Sequence, residues 1–170
     1  MGIILGYDAA TLREKVDLKA VGARLDELGS MRSLEALCEK AWLLKVAGQL
    51  DDALDSANAA IRLARFTGNR RDLMRPRMLR AQVLQFRAEF EPALHELNSL
   101  IEEAHTHEWQ LYEAFALQHR GKVYFDQEEY ELALADFRAA IQIRRAVGAS
   151  ESQIESSLVA ISVTESRISA

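Results

Sequence analysis

Cysteine, proline and long apolar runs are all scarce in this chain of 170 residues. A single cysteine, Cys38, excludes an intrachain disulfide framework and suits a reducing, cytoplasmic setting. Two prolines and eight glycines exclude collagen-like or linker-like character. No apolar stretch approaches the ~20 residues that cross a bilayer, so no membrane partner is expected. The opening Met-Gly-Ile-Ile-Leu-Gly is too short for a secretory signal core and lacks a basic flank. A net charge of −5 argues against general nucleic-acid binding. What is plentiful is apolar residue, at 49%, enough for a folded core.

Recognisable catalytic chemistry is also missing. There is no glycine-rich phosphate loop, no paired-cysteine metal motif and no metalloprotease helix signature. Cys38 and His119 stand too far apart in the chain, on helices two repeats away, to form a nucleophile and base. His105 and His107 lie near a helix end, where cationic character suits the helix dipole better than an incomplete metal site. The reading is of a non-enzyme, with no catalytic residues, no metal and no cofactor.

What the chain does contain is a repeat. Shifted by 40 residues it aligns with itself three times without a gap. Ala41, Ala81 and Gly121 share a column, as do Ala53, Ala93 and Ala133. Leu44, Leu84 and Tyr124 share another, followed by Leu50, Phe90 and Tyr130, then Ala57, Leu97 and Phe137, then Ala60, Leu100 and Ala140. Helical periodicity runs through 34–47, 53–66, 73–86, 93–104, 111–125 and 130–147, two helices per copy. Ser33 reads as an N-cap, and Gly48, Gly68 and Gly148 stand where helices stop. Pro92 falls in a first turn, where its missing N–H costs little. Pro76 either delays its helix to about Arg75 or kinks the first turn. The small columns let paired helices approach, with Phe90, Tyr124, Tyr130 and Phe137 as the filling side chains.

The run Gly121-x2-Tyr124-x5-Tyr130-x2-Ala133-x3-Phe137-x2-Ala140 resembles a tetratricopeptide repeat (TPR), and the copies at 34–69 and 74–109 match most of its columns. The 40-residue period and the absence of a proline ending each second helix resemble the elongated repeats of kinesin light chains and of bacterial signalling and regulator proteins. The resemblance implies an all-α, right-handed superhelical solenoid of three helix-turn-helix repeats, at about 33–70, 71–108 and 109–150. Residues 1–32 are expected to be an arm and an N-terminal capping helix, with 11–28 helical around Leu12, Val16, Val21, Leu25 and Leu28. A dimerisation helix is the alternative there. A C-terminal capping helix is expected within 151–170, with Ile154, Leu158 and Ile161 as its apolar stripe. The alternative is the first helix of a further repeat.

In that family one face of each first helix lines a concave groove. Carried over, the groove is Glu35, Cys38, Trp42 and Lys45, then Arg75, Met78, Gln82 and Gln85, then Phe115, Gln118, Lys122 and Phe125. Mixed aromatic, Met and amide character suits a binding surface. The chaperone-tail clamp of some relatives would fall on Cys38, Trp42, Gln82, Gln118 and Lys122, and Cys and Trp spoil it.

Charge is segregated too. Residues 62–87 hold eight arginines against Asp72, while 89–113 hold seven glutamates and no Lys or Arg. Salt bridging between neighbours is one reading, and an arginine patch for an acidic partner is the sharper one. A basic column, Lys40, Arg80 and Arg120, suggests long stems along the seams with charged ends reaching carboxylate or water. Together these features predict a protein-interaction module for a protein or peptide partner, acidic if the arginine patch is used. The alternative is a regulatory, self-associating segment of a larger signalling chain, and hence a homodimer.

Overall fold

The computed structural model describes residues 2–170, and contacts divide them into two compact units. The first comprises the residues up to Asp8 together with Arg13–Glu89; the second comprises Ala9–Leu12 and Phe90–Ala170. The division falls between the two helices of the middle repeat.

In the first unit, strands β1 (Ile4–Tyr7) and β2 (Glu14–Val16) pair antiparallel, with Ile4 opposite Val16 and Tyr7 opposite Glu14. The helices are α1 (Leu18–Leu28), α2 (Leu34–Val46), α3 (Leu50–Thr67) and α4 (Met74–Phe86), with a single 3-10 turn at Arg70–Leu73. The helix expected over 11–28 therefore starts only at Leu18. Leu12 and Val16 are spaced as a helix stripe requires, but the Asp17 carboxylate caps the amides of Lys19 and Ala20 at 3.0 and 3.2 Å and fixes the start. The segment before it is extended, because its backbone pairs with β1 instead. Pro76 sits inside the first turn of α4, which begins at Met74, so no kink is needed.

Leu37, Cys38 and Ala41 of α2 pack on Ala57 and Ala60 of α3 and Leu79 of α4. A second cluster joins Val21 and Leu28 of α1 to Ala36 and Leu43 of α2, with Ile3, Val16 and Trp42 against it. Arg24 of α1 holds Glu39 of α2 through two bonds of 2.6 and 3.0 Å. That fork keeps the Glu39 carboxyl below its ordinary range.

The second unit contains α5 (Phe90–Thr106), α6 (Gln110–Asp126), α7 (Tyr130–Ala146) and α8 (Glu151–Ile168). Here the seam has its reason in atoms. A Cβ on Gly121 would lie 2.6 Å from Cε1 of Phe137, so the Phe137 ring occupies the space a methyl would need. Phe137, Phe125, Ala133 and Ala160 form the core, and Leu12, 2% exposed, joins them. Burying that one leucine contributes about 2 kcal/mol. Arg120 of the basic column grips Asp136 at 2.6 and 2.7 Å, as its position on the seam suggests. Lys40 of the same column finds backbone carbonyls rather than a carboxylate, donating to Gly29 at 2.6 Å and Met31 at 2.7 Å.

Of the stripe expected on α8, Ile161 packs on the Phe137 core and Ile154 is half-buried. Ser157, Ala160 and Thr164 are the buried residues of the helix, while Leu158 is 46% exposed. The small side chains permit close approach, and the Thr164 hydroxyl is satisfied locally, donating to the Ala160 carbonyl at 2.7 Å.

The turns repeat as faithfully as the helices. Gly48, Ala88 and Glu128 share one column and all have left-handed φ, at 79°, 60° and 63°. Gly68, Glu108 and Gly148 share the next, at 72°, 55° and 66°. Glycines at three of the six mark these turns in the sequence; Ala88, Glu108 and Glu128 adopt the same geometry without the conformational freedom.

Candidate binding face

The twelve positions carried over as a groove do not form an open lining. Glu35 and Arg75 are exposed, and Trp42 and Phe115 are half-buried. Cys38, Lys45, Met78, Gln82, Gln85, Gln118, Lys122 and Phe125 are buried. The amides and lysines that patterning assigns to an accessible surface are thus mostly enclosed. Burial of polar groups demands partners, and the partners explain how the face is built.

In the first unit the ammonium of Lys45, 2% exposed, donates to Oε1 of Gln82 at 2.7 Å, joining α2 to α4. It also lies 3.9 Å from the carboxylate of Glu14 on β2 and 4.9 Å from the centre of the Phe86 ring. The Arg13 guanidinium stacks over that same ring at 4.3 Å. Val16, two residues beyond Glu14, packs into the cluster that contains Trp42. An extended piece of the chain therefore lies on the face. Cys38 is buried in the cluster of α2, α3 and α4, and desolvation pushes its thiol pKa up while Arg75 opposes the shift.

In the second unit a helix does the covering. The Ser157 hydroxyl of α8 donates to Oε1 of Gln118 on α6 at 2.8 Å. Arg144 of α7 donates to that hydroxyl at 2.8 Å and to the Gln153 carbonyl at 2.7 Å, and sits 5.2 Å over the Phe115 ring. The amide nitrogen of Gln118 is enclosed without a hydrogen-bond partner. Phe125 meets Tyr130 edge-on at 5.4 Å.

Sequence reasoning missed Glu14, Arg13, Ser157 and Arg144. Glu14 carried one usable signal, its alternation with Leu12 and Val16 just ahead of the Asp17 cap. Within the charge blocks Arg87 pairs with Asp51 and with Glu89, the latter at 2.6 Å, and Arg62, Arg65, Arg70, Arg71 and Arg75 lie at the surface. His105 contacts the Glu113 carboxylate at 3.1 Å, and His107 stacks on Trp109 at 4.6 Å.

The crystal structure of the apo form of RapI superposes with a TM-score of 0.68 at 18% identity, covering 89% of this chain and 56% of RapI. This chain thus spans just over half the length of that neighbour. The fold is a TPR-like helical repeat. A MamA RS-1 ArsTM double mutant aligns more loosely, with a TM-score of 0.46 at 14% identity over 90% of this chain and 86% of that one, and adds no weight. No protein-family model and no curated protein matches the sequence. No helix among the described residues is long and apolar enough to cross a membrane.

Proposed function

We propose that this chain is a non-catalytic, cytoplasmic protein-interaction module that binds a peptide or helix through the inner faces of its helical hairpins. The observation that carries this reading is the make-up of the α2–α4 face. Half-buried Trp42 lies between exposed Glu35 and Arg75 at one end and the paired Lys45 and Gln82 at the other. An aromatic anchor bordered by polar groups already oriented by hydrogen bonds is what protein-recognition sites use. The likeness to RapI, a TPR-like repeat, supports a protein-binding scaffold in the same direction. Neither acid–base pairing nor a nucleophile enters the reading.

The test is titration of a captured partner into wild type, Trp42→Ala, Arg75→Ala and Glu102→Ala at two salt concentrations, with helicity checked by circular dichroism. Truncating the aromatic anchor should weaken binding by roughly 2 kcal/mol, and the outer-face Glu102 change should do almost nothing. An acidic partner should release as salt rises. Equal affinities for all four chains would remove the reading.

Self-association is the second reading, and one feature favours it. Phe66 is 88% exposed on α3, and Leu63, three residues earlier on the same side, is 36% exposed. If this patch pairs two copies, light scattering should report a dimer that Phe66→Ser abolishes.

A further inference from the structure

The first unit binds part of its own chain, and the manner of binding describes a ligand. Resting on the interaction-module reading above, we propose that the α2–α4 face recognises an extended segment bearing a carboxylate followed two residues later by an aliphatic side chain. Residues 13–16 are its resident, displaceable occupant. Four observations carry this.

First, the face contains a buried cation that needs a counter-charge. The Lys45 side chain is 1% exposed, and the carboxylate facing it, 3.9 Å away, belongs to Glu14, itself 11% exposed. A lysine so enclosed is costly unless an anion accompanies it, so whatever replaces the arm must bring one. Second, Glu14 and Val16 are two apart on a strand and so project to the same side, one to Lys45 and the other to the Trp42 cluster. This is the side-chain spacing of an extended peptide, not of a helix. Third, Arg13 projects separately and lies over the Phe86 ring, which fixes the direction in which the segment runs. Fourth, the hairpin that carries the occupant is weakly built, and only Leu12, just before the occupant, is buried in a core. Its strands are four and three residues long with an irregularity between Ile4 and Gly6, and Ile4 and Leu5 are 44% and 60% exposed. A two-stranded hairpin of that size is at best marginally stable without the surface beneath it.

The partner is thus an extended acidic segment, and the arm competes with it at the high effective concentration of a tethered ligand. The arm sets a threshold: only a segment that matches its carboxylate and aliphatic contacts displaces it.

The probe is a fluorescent synthetic peptide with the sequence of residues 9–18, and a control peptide with lysine at the position of Glu14. Each is titrated into the full wild-type chain and into the full Glu14→Lys chain, in which the arm is repelled from Lys45. The Glu14→Lys chain should bind the native-sequence peptide at least tenfold more tightly than wild type does, and should bind the control peptide at least tenfold more weakly than the native one. Failure to bind the native peptide, or equal binding of both peptides, overturns the proposal. Should Glu14→Lys lose its helical signal, wild type answers the question by hydrogen exchange. The amides of Asp8 and Asp17, bonded to the Arg13 and Ile3 carbonyls at 2.8 and 3.0 Å, should exchange severalfold faster with excess peptide. Unchanged exchange overturns the proposal as well. A peptide that fails while the captured partner still depends on Trp42 removes the arm assignment alone. A peptide that binds while the partner ignores Trp42 removes the module reading instead.

Discussion

Lys45 in the first unit and Arg144 in the second are both cations with 3% exposure or less, yet their surroundings solve the same problem differently. Lys45 is met by a carboxylate and an amide oxygen, on a face covered by a strand. Arg144 is met by a backbone carbonyl, a hydroxyl and an aromatic ring, on a face covered by a helix. The repeat sets where the inner faces are, and the non-repeating ends decide what closes them. A carboxylate makes the first closure strong only while it stays charged and in place. The closure of the second unit runs through a hydroxyl and a carbonyl, and it leaves the amide nitrogen of Gln118 without a hydrogen-bond partner.

The largest expected effect that separates the units lies on the seam. Gly121→Leu should destabilise the second unit by about 3 kcal/mol or more, since even a methyl there meets the Phe137 ring. Ala41→Gly, in the same column of the first unit, loses helix propensity and one buried methyl and should cost about 1–2 kcal/mol. Chemical denaturation of the two variants compares them directly, and similar midpoints would break the seam assignment.

Next come the closures themselves. Glu14→Gln leaves Lys45 buried without its carboxylate and should cost about 2–4 kcal/mol. Ser157→Ala removes the bond to Gln118 and one of the Arg144 bonds, while the Gln153 carbonyl and the Phe115 ring still face Arg144, and should cost about 1–2 kcal/mol. Equal losses in urea melts would mean the charge at the first face is of no special consequence.

A smaller effect concerns the turns. Ala88→Gly and Glu128→Gly should each stabilise by about 0.5–1 kcal/mol, because both positions have left-handed φ. Gly48→Ala, in the same column, should destabilise by a like amount. Thermal midpoints of the three variants check the signs.

The smallest effect is a pH response confined to the first unit. Because Arg24 lowers the Glu39 pKa in the folded chain, the unfolded chain takes up the proton first as pH falls. The stability from this pair is therefore present above pH 4.5, the ordinary value, and is lost as pH falls through the lower folded value. The pair is exposed enough for solvent to screen it, so the loss is small. Glu39→Gln should flatten that acid limb of the stability curve.

Much of the fold was legible because repetition multiplies a weak local signal. Six apolar columns, each seen three times, locate the helices, and Gly48, Gly68 and Gly148 locate turns whose geometry Ala88, Glu108 and Glu128 share. The ends have no second copy to average against. Leu12 and Val16 stand four apart, which suits a helix stripe, and only pairing with Ile4–Tyr7 makes their segment extended. The enclosure of the face was illegible for a related reason. Gln82 and Lys45 are polar, so alone each suggests solvent, and only their meeting across 37 residues of chain lets them be buried. Ser157 and Gln118, 39 apart, do the same in the second unit.

Cys38 gives the first hairpin a built-in clock. Its thiol is 1% exposed and its pKa is raised, so in the folded chain it is both hidden from reagents and poor in thiolate. A thiol reagent can then reach it only during moments when α2 and α3 part, and the labelling rate counts those moments. With no second cysteine in the sequence to contribute, that count comes from one place in the molecule. Cysteines placed on the arm or on the exposed side of α3 would react at once, while Cys38 waits for the hairpin to open.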